Sequence, residues 1–172
     1  ICNKTVAYFR FSSYRKATWR LRMNDSIEKH IELKAPVSPV WRALTDYREF
    51  GAWFRAELET PFVVGKVTRG RNTYPGYENL IFEFTVQKIE PERFFSYTWH
   101  PYPVHPEIDY SKEPPTLVEF RLEPKGDGTI LFVKESGFAA IPEHRRLEAF
   151  RMHESGWPGQ LINIERYVAG HG

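Results

Sequence analysis

The sequence predicts an α+β architecture in which a strongly curved antiparallel sheet closes over one long C-terminal helix. Three observations predict it. Residues 27–34 alternate apolar and polar and are followed by two short helical patterns. A series of alternating strand patterns then fills residues 65–136. Last, Trp157, Leu161, Ile164 and Val168 recur at steps of four, three and four residues, a single apolar stripe on a helix.

Each element has its own signal. In IEKHIELK, Ile27, Ile31 and Leu33 form the dry face of a first strand. Ser38 caps a helix with Pro39 at its first position, where a missing N–H costs nothing. Asp46 and Glu49 stand three apart, as in a capping box, and open a second helix through Phe50, Trp53 and Phe54. Gly65–Arg71 reads as a short strand. In the next strand, Leu80, Phe82, Phe84 and Val86 share one face. Phe94–Trp99 is aromatic on both faces; Tyr97 and Trp99 share one, so some of these rings point outward or line a mouth. Residues 116–136 form a hairpin around Gly126-Asp127-Gly128, with Val118, Phe120 and Leu122 facing Leu131 and Val133. Between these strands, His100–Pro115 holds five prolines and reads as a long loop. Pro142 opens a helix that runs to about Glu154, and a kink or break is expected at Gly156-Trp157-Pro158, because Pro158 cannot donate to the Glu154 carbonyl.

The chain has 172 residues, one domain's worth, with 41% apolar, 27% charged and 16% aromatic residues. That composition excludes collagen, coiled coil and a disordered tail. No apolar run reaches the length of a membrane helix. Cys2 is the only cysteine, so there is no internal disulfide and no multi-cysteine zinc site; a cytoplasmic location is the simple reading. The net charge of +2 hides an asymmetry: residues 1–22 hold six of the 24 basic residues and none of the 22 acidic ones. The remaining body is mildly acidic and offers no phosphate-binding surface, so no nucleic-acid partner is expected for it. Residues 1–22 read as a leader or non-native extension, and 23–172 as the domain. Two further readings of 1–22 are an organelle-type leader and a nucleic-acid arm, the latter because Tyr8, Phe9, Phe11, Tyr14 and Trp19 interleave with the basic residues.

A curved sheet that grips one helix leaves a cavity between them, which is the structural route to function. Glu135 shares strand parity with Leu131 and Val133 and points where they do. A carboxyl group against apolar walls has a raised pKa and can act as acid or base; the plainer reading is a strand-end carboxylate that pairs with an arginine or reaches water. His153 and Glu154 precede the expected helix break, where His153 either faces the cavity or sits at a solvated helix end. His100, His105, Glu107 and Asp109 are metal-ligand types, but their loop reads as a solvated cover over the cavity mouth, so no metal is expected. Trp41, Trp53, Trp99 and Trp157 serve either as core or as a ligand box. There is no Gly-x-Ser-x-Gly elbow and no glycine-rich phosphate loop in a strand–helix setting.

The element order resembles the helix-grip superfamily, also called SRPBCC or START-like. The motifs are similar to the domain of the activator of heat-shock-protein-90 ATPase: Ile31–Lys34 with Val40-Trp41-Arg42-Ala43-Leu44-Thr45-Asp46, then Trp53-Phe54, Glu90-Pro91 with Tyr97-Thr98-Trp99, Gly128-Thr129 through Ser136-Gly137-Phe138, and Gly156-Trp157. The resemblance spans roughly residues 27–170 and implies the helix-grip fold. It also implies a cavity for a hydrophobic small molecule, since members of the superfamily hold lipids, polyketides or plant hormones, and a minority catalyse cyclisation or hydrolysis. Combined with the residues, it predicts a non-enzymatic binder with no cofactor, acting as a monomer or homodimer. Trp53, Phe82, Phe84, Trp99, Phe120, Val133, Trp157 and Leu161 would supply walls, and Glu135 the polar group that orients the ligand. Two alternatives stand beside it: a hydrolase or cyclase with Glu135 and His153 as its acid–base pair, and a module for a chaperone or other protein partner.

Overall fold

The structure, a computed structural model, describes residues 25–101, 103 and 108–171. Residues 1–22, Cys2 among them, and His105 and Glu107 of the proline-rich loop lie outside the described residues. Strand β1 (Ser26–Leu33) leads to helices α1 (Val37–Thr45) and α2 (Tyr47–Phe54). Then come β2 (Ala56–Leu58), β3 (Val67–Asn72), β4 (Ile81–Glu90), β5 (Phe94–Trp99), β6 (Thr116–Lys125) and β7 (Gly128–Ser136). Helix α3 (Glu143–His171) closes the fold. The seven strands form one antiparallel sheet in the order β1-β7-β6-β5-β4-β3-β2. A register shift between Val86 and Lys88 marks a bulge in β4, a device that bends a sheet. The helices cover the concave side, with α3 packed on β1, α1 and α2. This is the α+β helix-grip fold expected from the sequence.

Several local expectations need correction. Helix α1 starts two residues early, with Pro36 as its cap and no side-chain cap bond, so Ser38 and Pro39 sit inside the first turn. There the Pro39 nitrogen lacks nothing, because first-turn N–H groups have no intrahelical partner. Asp46 does cap α2, accepting from the Arg48 and Glu49 amides at 2.9 and 3.1 Å. Glu49 does not return the bond; its carboxylate goes to Arg42, and the Asp46 N–H bonds the Arg42 carbonyl. The short edge strand β2 was not legible, since three residues show no period. It lies so close under α2 that a methyl at Gly51 would collide with the Ala56 carbonyl. Helix α2 ends on Arg55 in the left-handed conformation (φ 64°), a position that usually falls to glycine. Finally, α3 does not break at Pro158 but runs through it for 29 residues. One missing hydrogen bond is outweighed by burial of the stripe Trp157, Leu161, Ile164 and Val168 against the rest of the core.

The core is unusually aromatic. Phe84 is fully buried and its ring lies 4.9–6.3 Å from Phe50, Phe54, Phe62, Phe82, Tyr97 and Trp99. Most of these pairs meet edge to face, the arrangement ring quadrupoles favour.

Candidate functional site

Strand register and helix period bring five polar side chains to one buried point. On β7, Glu135 faces inward with Leu131 and Val133 and pairs across to Val118. Thr116 is two residues from Val118 on the same face of β6, which makes it a diagonal neighbour of Glu135. Trp99 is the direct partner of Thr116 on β5. His153 and Trp157 are four apart on α3, so both project from the same helix face onto the same patch of sheet.

The result is a carboxylate with no exposed surface and all its acceptor positions served. Trp99 Nε1 and Thr116 Oγ1 donate to Glu135 Oε1 at 2.8 and 2.7 Å. Trp157 Nε1 donates to Oε2 at 2.8 Å, and His153 Nδ1 meets Oε2 at 2.8 Å. An ionised carboxylate only accepts, so it is Nδ1 of His153 that carries the proton in this bond. The raised pKa expected for Glu135 is overturned. Burial pushes the carboxyl up, but the His153 charge and the hydrogen bonds from His153, Thr116 and Trp157 outweigh it and hold the group below its ordinary range. Neither plain alternative applies: the partner is not an arginine, and the group does not reach water. Beside it, the Tyr97 hydroxyl is buried without a partner among the described residues. Burial first, and the Glu135 charge second, push its phenol well above the usual range, so it stays neutral.

The sign of the linkage gives a first prediction. Folding favours ionised Glu135, so its contribution is complete above the ordinary value of 4.5 and is lost as pH falls through the lower folded value. Urea midpoints measured between pH 7 and pH 3 should therefore fall more steeply for the natural chain than for Glu135→Gln. Parallel curves would contradict the ionised, multiply bonded carboxylate.

A cavity of about 550 Å³ opens beside this cluster. Phe54, Phe82, Trp99, Trp157 and Leu80 give it aromatic and apolar walls, and His153 lies on its surface with 12% of the side chain exposed. Asn72, Tyr74, Tyr77 and Gln160 add polar atoms, and Met152, Gly156 and Pro103 complete it. Of the wall residues expected from the sequence, the structure brings Phe82, Trp99 and Trp157 to the cavity. Trp53, Phe84, Phe120, Val133 and Leu161 face the same interior but pack in the closed core behind it. Glu135 also stands behind the wall, screened by both indoles and by His153. His153 is in the middle of α3, not at a solvated end, because the expected helix break does not occur.

Sequence reasoning missed Thr116, although its parity with Val118 and Phe120 was a usable signal. It also missed Phe54 and the Tyr74-Pro75-Gly76-Tyr77 turn, whose two aromatics flank a turn dipeptide beside the cavity. In the proline-rich loop, His100 Nε2 contacts the Glu113 carbonyl at 3.0 Å, and Asp109 binds Ser111 and Lys112. Among the described residues no group of three His, Cys, Asp or Glu side chains converges as for a metal, and no helix is long and apolar enough to cross a membrane.

Comparison with known proteins places this geometry. No curated protein matches the chain. Among solved structures, DynU16, from the dynemicin biosynthetic locus, has a TM-score of 0.65 at 25% identity over 86% of this chain and 48% of its own. The chain thus spans about half of DynU16. MLL2253 from Mesorhizobium loti has a TM-score of 0.67 at 24% identity, over 86% of this chain and 98% of its own. The Aha1 dimer from Colwellia psychrerythraea has a TM-score of 0.61 at 19% identity, over 83% and 95%. These last two show the shared fold. The family model described as activator of Hsp90 ATPase homolog 1-like protein matches residues 34–169, and the chain belongs to that family.

Proposed function

We propose that this protein binds a hydrophobic small molecule in the cavity between sheet and α3, without transforming it. The observation that supports this reading is the pairing of aromatic walls with one oriented polar group. A volume of about 550 Å³ is in the range of small-molecule sites. Phe54, Phe82, Trp99 and Trp157 supply contact area that ring-bearing or aliphatic ligands fill. His153 supplies direction: with Nδ1 held by Glu135, its ring cannot turn, and Nε2 is left on the side away from the carboxylate. Glu135 acts on the ligand through His153.

Gly156 offers a clean test. It lies on the cavity wall, and a Cβ added there meets nothing within 4 Å. Gly156→Trp therefore fills the cavity while removing a glycine from a helix interior, a change that does not cost stability on propensity grounds. The apolar fluorophore N-phenyl-1-naphthylamine is expected to saturate at one per chain and to quench tryptophan emission. Gly156→Trp should weaken it at least about tenfold, the equivalent of roughly 1.4 kcal/mol. Equal binding by both proteins sinks the cavity reading.

The Glu135–His153 bond supports a second reading, a hydrolase or cyclase in which Glu135 orients His153 and Nε2 takes a proton. General-base work of that kind contributes about 10²–10⁴-fold. Turnover of a 4-nitrophenyl ester that falls by such a factor in His153→Gln would favour it over plain binding. Turnover unchanged by the substitution would remove His153 from the chemistry.

A further inference from the structure

A cation stands next to two residues of the cavity wall. Arg55 follows Phe54, a wall residue, and its guanidinium lies 5.8 Å from the centre of the Tyr74 ring, another wall residue. Its backbone is tied to the same place, because the Thr73 N–H bonds the Arg55 carbonyl at 2.9 Å. The side chain is exposed, and among the described residues no carboxylate pairs with it. Two cationic side chains of β3 are engaged elsewhere: Arg71 pairs with Glu57, and Arg69 with Glu83. The one acid on the adjoining turn, Glu78, turns its carboxylate back to the Gly76 amide at 2.8 Å.

Two further features agree. None of the described wall residues is Asp or Glu, and the buried Glu135 is masked by its four donors. Arg55 also holds the left-handed conformation that closes α2 (φ 64°). A glycine would take that conformation freely, so an arginine there keeps its guanidinium at the rim against a conformational cost.

Resting on the cavity reading above, we propose that the occupant is an amphipathic organic anion, its apolar ring-bearing body in the aromatic cavity and its acid group at the rim on Arg55. A guanidinium presents paired N–H donors that match a carboxylate or a similar oxyanion. The cavity body then supplies affinity, and Arg55 selects acids over neutral compounds of the same shape.

A matched pair of probes tests this. 8-Anilinonaphthalene-1-sulfonate and N-phenyl-1-naphthylamine share one aromatic body and differ by the sulfonate. At low salt the sulfonate is expected to bind about tenfold more tightly, an advantage that shrinks in 1 M salt as screening shortens to about 3 Å. Arg55→Gly suits the left-handed backbone and removes the cation together with its contact on the Tyr74 ring. It should erase the sulfonate's advantage and leave the neutral probe unchanged, and Arg55→Gln should do the same. If the two probes bind the natural chain equally, or if the advantage survives both substitutions, the proposal is overturned while the cavity reading stands. Should Gly156→Trp leave both probes bound as before, the cavity reading fails and this proposal with it.

Discussion

Glu135→Ala is expected to destabilise the protein by about 3–5 kcal/mol, the cost of removing one member of a buried charged pair. The substitution leaves two indole N–H groups, the Thr116 hydroxyl and the His153 imidazole facing a vacated, dry site. Each orphaned donor keeps its desolvation penalty without the bond that offset it. For a chain of this size that loss corresponds to a drop of about 10 °C in Tm. Urea unfolding, followed by tryptophan emission, measures it directly. Thr116→Val removes one donor and leaves the carboxylate with three, so about 1 kcal/mol is expected there. A loss below about 1 kcal/mol for Glu135→Ala would mean that the cluster is not the closed network described, and His153 would lose its argued orientation.

Phe84→Ala should cost a similar amount, about 3–5 kcal/mol, for a different reason. Phe84 has no polar role and no place on the cavity wall. Its ring is the point where aromatics of α2, the β2–β3 connection, β4 and β5 meet, and Trp99 stacks on it at 5.7 Å with planes 21° apart. The void would cost the lost transfer energy and the contacts of six rings that cannot all follow. Trp99 would also lose the surface that aims its Nε1 at Glu135. Binding of N-phenyl-1-naphthylamine is therefore expected to weaken in Phe84→Ala although no contact with the probe is removed. Phe84→Leu, closer in volume, separates the two effects. If it restores stability but not binding, the ring's orienting role is the part that matters to the site; if Phe84→Ala unfolds at nearly the natural urea midpoint, the packing account is wrong.

Some of the site was legible because strand parity is local. Alternation along residues 129–135 was enough to aim Glu135 inward, and spacing along the last helix was enough to align Trp157 with Leu161, Ile164 and Val168. The charge state of Glu135 was not legible. It depends on donors from β5, β6 and α3 that lie 18 to 36 residues away in sequence. Burial alone argues for a raised pKa, and the His153 charge together with the bonds from His153, Thr116 and Trp157 reverses the sign. The helix at Pro158 shows the same limit. Local chemistry predicts a kink or break, whereas the core on which Trp157 and Leu161 pack keeps the helix continuous.

By itself, then, the amino-acid order determined what short-range patterns can encode: the α+β plan, the sequence of elements, the inward faces of strands and helix, and a cavity between them. Tertiary structure alone decided which inward residues form a wall and which form closed core. Phe82 and Phe84 have the same parity, yet one borders the cavity and the other is sealed by six rings. It also decided that Arg55 stands over Tyr74, and that five polar groups share one buried point. The physical reason is that periodicity reports direction relative to one element, while a site is an intersection of several elements, set by register, sheet curvature and packing.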